Sequence, residues 1–78
     1  MAIFPPWEYQ KYDRTYILHS ETNARMYIGH FVRFFEDGSW EELHLRFWSH
    51  HPRRAMKTIL NRLNNGESYR HVADQEVN

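Results

Sequence analysis

The chain has 78 residues, no cysteine, and ten acidic residues that balance ten basic ones, so its formal net charge is zero with six neutral histidines. This length allows one small domain with a thin core. The missing cysteine excludes disulfides and thiolate metal sites, and the balanced charge disfavours a general nucleic-acid coat. No apolar stretch approaches the roughly 18–20 residues of a membrane helix, and no signal-peptide pattern is present, so we expect a cytoplasmic protein.

The first twelve residues are rich in aromatic side chains and contain two adjacent prolines, Pro5 and Pro6. Proline restricts its own backbone and that of the preceding residue, which disfavours a helix here. We therefore expect residues 1–12 to form an extended aromatic arm. Residues 13–78 then make up a single β-β-β-α domain.

The segment Arg14–Ser20 is rich in β-forming residues and predicts the first strand. Its core side is ambiguous, because either Tyr16 with Leu18, or Ile17, can face inwards. In the following strand, Gly29 indicates either a bulge or a place where a neighbouring ring lies over bare backbone.

Two apolar runs flank Asp37-Gly38 and predict a β-hairpin, with strands over about Arg25–Phe35 and Trp40–Trp48. Asp-Gly is typical of a two-residue primed turn, in which both central residues take positive φ. Such a turn pairs Glu36 with Ser39, and this pair fixes the register of the whole hairpin.

That register divides the hairpin into two faces, both rich in apolar side chains. The face expected to form the core consists of Met26, Ile28, Val32, Phe34, Leu43, Leu45 and Phe47. The outer face pairs Tyr27 with Trp48, Phe31 with His44, Arg33 with Glu42, and Phe35 with Trp40. A one-residue slip would oppose Leu45 to Gly29 and mix the two sets, so we expect the first register.

A helix is predicted from Pro52, which suits a first helical position, with Ser49 or His51 as its cap. Apolar residues then recur at helical spacing and form one stripe: Ala55, Met56, Ile59, Leu60 and Leu63. The helix is expected to end at Asn65-Gly66, where glycine can adopt the left-handed conformation.

Ser68 is expected to cap a short final helix over Tyr69–Gln75, with Val72 and Ala73 facing inwards. The predicted fold class is therefore α+β. It is a three-stranded antiparallel sheet with one amphipathic helix packed on one face, followed by a short C-terminal helical turn.

The outer face of the hairpin is the first candidate site, because a large exposed aromatic patch indicates a partner. We expect a protein-binding surface made of the aromatic residues Tyr27, Phe31, Phe35, Trp40 and Trp48, with an acidic tip of Glu36, Asp37, Glu41 and Glu42. Three alternatives remain open. The arm can fold back with Phe4 and Trp7 as a lid, the face can form a homodimer, or nucleic-acid bases can stack on the rings.

A second candidate site lies at the helix, because residues 50–65 contain several basic side chains and no acid. The residues that could bind an anion or nucleic acid are His50, His51, Arg53, Arg54, Lys57 and Arg62. In addition, Leu60–Asn78 resembles the first two helices of a helix-turn-helix DNA-binding domain at Gly66, Ser68 and Val72-Ala73. That resemblance implies nucleic-acid binding as an alternative function.

The histidines predict no metal site, since no Cys or paired-carboxylate spacing supplies three or four ligands around one point. We expect no cofactor and no enzyme activity. A third function class is a small ribonuclease toxin, in which His44, His50 or His71 would act in general acid–base chemistry.

In size, lack of cysteine and lack of a catalytic motif, the chain resembles the small inhibitors of the anti-CRISPR kind that phages and mobile elements carry. This resemblance implies a non-catalytic protein that occupies the surface of a larger protein or nucleoprotein complex in the host cytoplasm. It implies a protein partner and no membrane.

Overall fold

The computed structural model describes residues 4–73 and residue 77. Its elements are, in chain order, β1 (Glu8–Leu18), β2 (Arg25–Phe34), β3 (Trp40–Ser49), α1 (Pro52–Asn64) and α2 (Tyr69–Ala73). The strands form one antiparallel sheet in the order β1-β2-β3, and α1 packs on one side of it. The predicted α+β fold with its short final helical turn is confirmed. No helix within the described ranges is long and apolar enough to cross a lipid bilayer.

β1 begins at Glu8 rather than at the expected Arg14, so part of the expected arm pairs with β2. The pairing is irregular at two places, around Gln10 and after Arg14. The side chains that were ambiguous in the sequence all remain exposed to solvent, namely Tyr16, Ile17 and Leu18. Neither of the two expected orientations therefore buries this end of β1.

The hairpin turn is one residue longer than predicted. The Phe35 N–H donates to the Ser39 carbonyl at 2.9 Å and the Gly38 N–H donates to the Phe35 carbonyl at 3.1 Å, which closes a three-residue loop. Gly38 has φ +87°, whereas Asp37 does not take positive φ. Because a two-residue primed turn needs positive φ at both positions, the chain instead forms a three-residue hairpin loop with a glycine bulge.

The longer loop shifts the register by one position, so that Phe34 pairs with Trp40. A one-residue shift moves every side chain of one strand to the other face. The expected faces are therefore right for β3 and wrong for β2. Tyr27 and Phe31, which were expected on the outer face, are buried in the core. Four side chains expected in the core lie on the opposite face: Met26, Ile28, Val32 and Phe34.

Gly29 shows why the observed register packs well. A Cβ atom at this position would lie 2.7 Å from Met56 Sδ of α1 and 3.0 Å from a ring carbon of Phe31. Gly29 therefore marks a close approach to bare backbone rather than a bulge, and it lets α1 lie near the sheet. Leu45 lies opposite Gly29 and fills the adjoining space.

The core lies between the sheet and the two helices. Its buried members are Trp7, Tyr27, Phe31, Leu45, Phe47, Ala55, Met56, Ile59, Leu63, Val72 and Val77. Phe47 stacks on Tyr27 with their ring centroids 5.7 Å apart. The apolar stripe predicted for α1 is confirmed, with Leu60 only partly buried.

The ends of α1 follow the sequence signals. His51 is the N-cap residue but makes no side-chain cap, whereas Ser49 Oγ accepts the His51 N–H at 2.9 Å. At the other end, Gly66 has φ +88° and the Glu67 N–H donates back to the last turn of α1 at 3.1 Å. This is the hydrogen-bond pattern of a Schellman C-cap, in which glycine is favoured.

The final helix spans Tyr69–Ala73. The Ser68 carbonyl accepts the Val72 N–H at 3.2 Å, and Val72 is fully buried as predicted. The side chain of Ala73 and the rest of the expected helix, up to Gln75, lie outside the described residues.

The arm packs on the helix side of the sheet. Trp7 is buried, its backbone N–H donates to Asn64 Oδ1 at 2.7 Å, and Asn64 Nδ2 donates to the Trp7 backbone carbonyl at 3.1 Å. Phe4 is exposed. The expected lid is therefore right for the rings of β2 and wrong for those of β3. Trp7 packs in one core with Tyr27 and Phe31, two members of the expected outer face, whereas Trp40 and Trp48 lie on the opposite side of the sheet.

Candidate functional site

The sheet face opposite α1 and α2, called the open face below, carries no helix of the described chain. Paired residues of antiparallel strands point to the same side of a sheet, so the register assigns its side chains. They are Glu8, Lys11 and Asp13 from β1, Met26, Ile28, His30, Val32 and Phe34 from β2, and Trp40, Glu42, His44, Arg46 and Trp48 from β3. The open face is thus polar at its centre and aromatic at both ends.

The most exposed apolar side chains of the open face lie at the hairpin end. Phe34 is 56% exposed and its cross-strand partner Trp40 is 63% exposed. We call this pair the aromatic tip. Phe34 borders two shallow grooves of about 520 and 350 Å³. The first is lined by Phe4, Pro5, Pro6, Phe35, Glu36 and Asp37, and the second by Gln10, Val32, Trp40 and Glu42.

Three carboxylates line the grooves beside Phe34, Glu36 and Asp37 in the first and Glu42 in the second. Glu8 of β1 pairs with Val32 on the same face. We call these four residues the acidic rim. Within the described part of the chain, none of them forms a salt bridge with Lys, Arg or His. The hydroxyl and backbone N–H of Ser39 donate to the Asp37 carboxylate and lower its pKa below 3.8. The rim therefore presents several uncompensated negative charges at neutral pH.

The centre of the open face carries a row of basic and imidazole side chains that crosses all three strands. Lys11 lies opposite His30, which lies opposite His44, and the two imidazole centroids are 4.2 Å apart. His30 Nε2 lies 2.7 Å from Asp13 Oδ2. No group of three or more possible ligand side chains in the described ranges could hold a metal ion.

Trp48 lies at the far end of the open face and does not join the aromatic tip. It is eight positions from Trp40 along β3, or roughly 26 Å at the usual rise of a strand. Trp48 is half-buried, and the His19 ring contacts it edge-on with the centroids 5.4 Å apart. We therefore separate Trp48 from the expected protein-binding group.

The other side of the hairpin end holds Arg33. Its guanidinium carbon lies 4.5 Å from the Trp7 ring centroid, 5.4 Å from that of Phe35 and 5.6 Å from that of Phe4. The Arg33 Nε and Nη2 atoms both donate to Glu41 Oε2, at 3.1 and 2.7 Å. Arg33 therefore pairs with Glu41 and not with the expected Glu42, and both Phe35 and Glu41 belong to this inner side.

Only part of the predicted protein-binding set comes together. Trp40, Glu36, Asp37 and Glu42 meet at the hairpin end. The structure adds Phe34 and Val32, which the expected register had placed in the core. An Asp-Gly pair is also compatible with a three-residue hairpin loop, and the register of that loop places Phe34 beside Trp40.

The basic candidate site is at the opposite end of the sheet. A depression of about 360 Å³ is lined by Tyr12, His50, His51, Pro52, Arg53 and Arg54. Lys57 is exposed one turn further along α1. Arg62 lies at the other end of α1 and donates two hydrogen bonds to the Glu67 carboxylate. Nη2 donates to Oε1 and Nε donates to Oε2, both at 3.0 Å. This bonding lowers the pKa of Glu67 and separates Arg62 from the other members of the predicted group.

The three histidines considered for ribonuclease chemistry do not converge. His44 lies on the open face, His50 precedes α1, and His71 belongs to α2 on the other side of the sheet.

No protein-family model, curated protein or solved structure matches the chain.

Proposed function

We propose that this chain is a non-catalytic binding protein that attaches to another protein through the aromatic tip and the acidic rim. In particular, we propose that it is an inhibitor that occupies the surface of a larger protein or nucleoprotein complex, as small phage-borne inhibitors of the anti-CRISPR kind do. The observation that carries the proposal is the exposed cross-strand pair of Phe34 and Trp40.

The aromatic tip supports this proposal on energetic grounds. Burying a large apolar side chain contributes about 1.5–3 kcal/mol, and tryptophan is enriched among the residues that dominate interface energies. In the free protein, Phe34 and Trp40 contribute little of this energy to the fold, because both remain largely exposed. The grooves on either side of Phe34 offer concave surface beside the two rings.

Site-specific photo-crosslinking tests the proposed surface. A benzophenone amino acid replaces Phe34 in one variant and Lys57, which is exposed on α1, in the matched control. We expect crosslinks from position 34 to one host protein, which is then purified and titrated directly. Trp40→Ala should weaken that interaction at least about tenfold, while Tyr16→Ala should leave it unchanged. Crosslinks from position 57 alone, or equal affinities of the two alanine variants, would contradict the proposal.

A second candidate function is nucleic-acid binding by the basic end of the molecule. The specific observation that favours it is the depression in which Arg53 and Arg54 lie beside Tyr12 and two histidines. Affinity for an oligonucleotide that falls steeply with salt, and that Arg53→Gln and Arg54→Gln remove, would support it. Unchanged affinity in these variants would exclude it.

A further inference from the structure

The two sides of the hairpin end carry similar chemical groups, but among the residues that the structure describes only one side holds a cation. On the inner side, the rings of Phe4, Trp7 and Phe35 surround the Arg33 guanidinium, and Glu41 pairs with it. On the outer side, the rings of the aromatic tip lie among the carboxylates of the acidic rim.

The inner side shows how this chain holds a guanidinium. The Arg33 side chain is only 16% exposed, its flat group lies against aromatic rings, and two of its N–H groups bond to one carboxylate oxygen. Stacking satisfies the faces of the planar cation while the carboxylate satisfies its edge. Both contacts are favourable together because arginine keeps its charge and is weakly hydrated.

The outer side offers the same combination of rings and carboxylates, and no cation from residues 4–73 lies between them. Glu42 lies two residues along β3 from Trp40 on the same face, and it shares a groove with Val32, Phe34 and Trp40. Glu36 and Asp37 line the groove on the other side of Phe34. The nearest cation along the open face is Lys11, which lies in the row beyond Val32 and approaches Asp13 at 3.9 Å.

We propose that the outer side receives an arginine side chain from a partner protein, with its guanidinium stacked on Trp40 and paired with Glu42. This inference rests on the proposed function and specifies the chemistry of the partner. Charge complementarity selects the occupant, because the acidic rim repels phosphates and acidic segments and attracts a basic one. Arginine fits better than lysine, since a planar guanidinium can stack on a ring and bond to a carboxylate at the same time.

The probe is a labelled peptide with three arginines separated by Gly-Ser pairs. Its affinity for the protein is measured by fluorescence polarisation in low-salt buffer. A second peptide carries citrulline, which keeps the planar shape and removes the charge, and a third carries lysine. We expect the citrulline peptide to bind at least about tenfold more weakly and the lysine peptide a few-fold more weakly.

Matched variants locate the binding. Glu42→Gln and Trp40→Leu should each weaken the arginine peptide at least about fivefold. Glu21→Gln removes an exposed carboxylate at the far end of the sheet and should change affinity less than twofold, as should Tyr16→Ala. Circular dichroism should show the same folded spectrum and closely similar melting temperatures for all variants.

Two results would overturn the inference: equal binding of the citrulline and arginine peptides, or equal losses from Glu21→Gln and Glu42→Gln. The proposed function and the arginine contact can be tested separately. A partner that is lost on Trp40→Ala but binds Glu42→Gln as well as the parent would keep the proposed function and remove the arginine contact. Self-association that requires Arg53 and Arg54 would make the occupant a second copy and would also overturn the inference.

Discussion

Gly29 is the residue that fixes the distance between the sheet and α1. The two atoms nearest to a Cβ built there are Met56 Sδ at 2.7 Å and Phe31 Cε2 at 3.0 Å, and both side chains are buried. Neither can leave its position without disturbing the core, because packed interiors hold few voids.

Gly29→Ala should therefore destabilise the fold by about 1–3 kcal/mol, the usual cost of overpacking a core. Urea denaturation measures this change. In a Met56→Val background, where the sulfur is absent, the same substitution should cost clearly less. Equal costs in the two backgrounds would show that Met56 does not lie over Gly29.

The sequence marks Gly29 as unusual but does not choose between its two roles. A mid-strand glycine is expected both at bulges and at close approaches. The choice depends on where α1 lies, and α1 contacts Gly29 from 27 positions further along the chain through Met56. The sequence pattern around Gly29 contains no information on a contact with a residue so far along the chain.

At the scale of the elements, the hairpin loop determines which side chains reach the open face. Its Gly38 has φ +87°, with open space where a Cβ would lie, so conformation alone demands glycine there. Asp37-Gly38 in the sequence predicts the position of the loop but does not determine whether the loop has two or three residues. A single loop residue exchanges the whole set of β2 side chains, which is why the prediction succeeds for Leu45 and fails for Phe31.

Gly38→Ala should lower the free energy of unfolding by about 1–2 kcal/mol, because a Cβ disfavours the left-handed conformation. Gly38→Asn should cost less, since asparagine tolerates positive φ better. Chemical denaturation of both variants provides the comparison. Alanine and asparagine variants of equal stability would indicate that residue 38 does not take positive φ.

The C-terminal end of α1 is stabilised by a pH-dependent pair. Hydrogen bonding to Arg62 lowers the pKa of Glu67 below its usual 4.5 in the folded protein. A carboxyl group with a lowered folded-state pKa stabilises the fold above its unfolded pKa, and this stabilisation is lost as the pH falls through the folded-state value.

The parent should therefore be more stable than Glu67→Gln at neutral pH, and the difference should disappear below the folded-state pKa of Glu67. Melting temperatures of both proteins, measured between about pH 7 and pH 3, test this expectation. A difference that stays constant over the whole range would show that the charge of Glu67 contributes nothing.

At the scale of the whole molecule, charge is separated along an extended domain. The principal dimensions are 44 × 20 × 18 Å, with the acidic rim at the hairpin end and the depression beside Arg53 at the other end. The sequence predicts most members of both charged groups, because these lie close together in the chain. Glu41 and Arg62 are the exceptions, since each pairs with another residue away from its predicted group. The sequence does not predict that Glu8 joins the rim, since that follows from where β1 begins.

Separated charge should affect the rate of association more than the lifetime of the complex. The purified partner, identified by crosslinking at position 34, allows a test of this expectation. The double variant Glu36→Gln with Asp37→Asn should bind it with an association rate constant a few-fold lower and a dissociation rate constant that is nearly unchanged. Trp40→Ala should instead speed dissociation. Surface plasmon resonance resolves both rates, and Arg53→Gln with Arg54→Gln serves as the control from the opposite end. Faster association after removal of the acids would contradict the charge argument.

The three tryptophan side chains report on three separate places, since Trp40 is at the aromatic tip, Trp48 at the far end of the open face and Trp7 in the core on the other side. Their indole N–H signals in one NMR spectrum, recorded before and after addition of the partner, show which of these places the partner contacts. We predict that the Trp40 signal shifts or broadens while the Trp7 signal stays in place. A spectrum in which the Trp7 signal moves and the Trp40 signal does not would contradict binding through the aromatic tip.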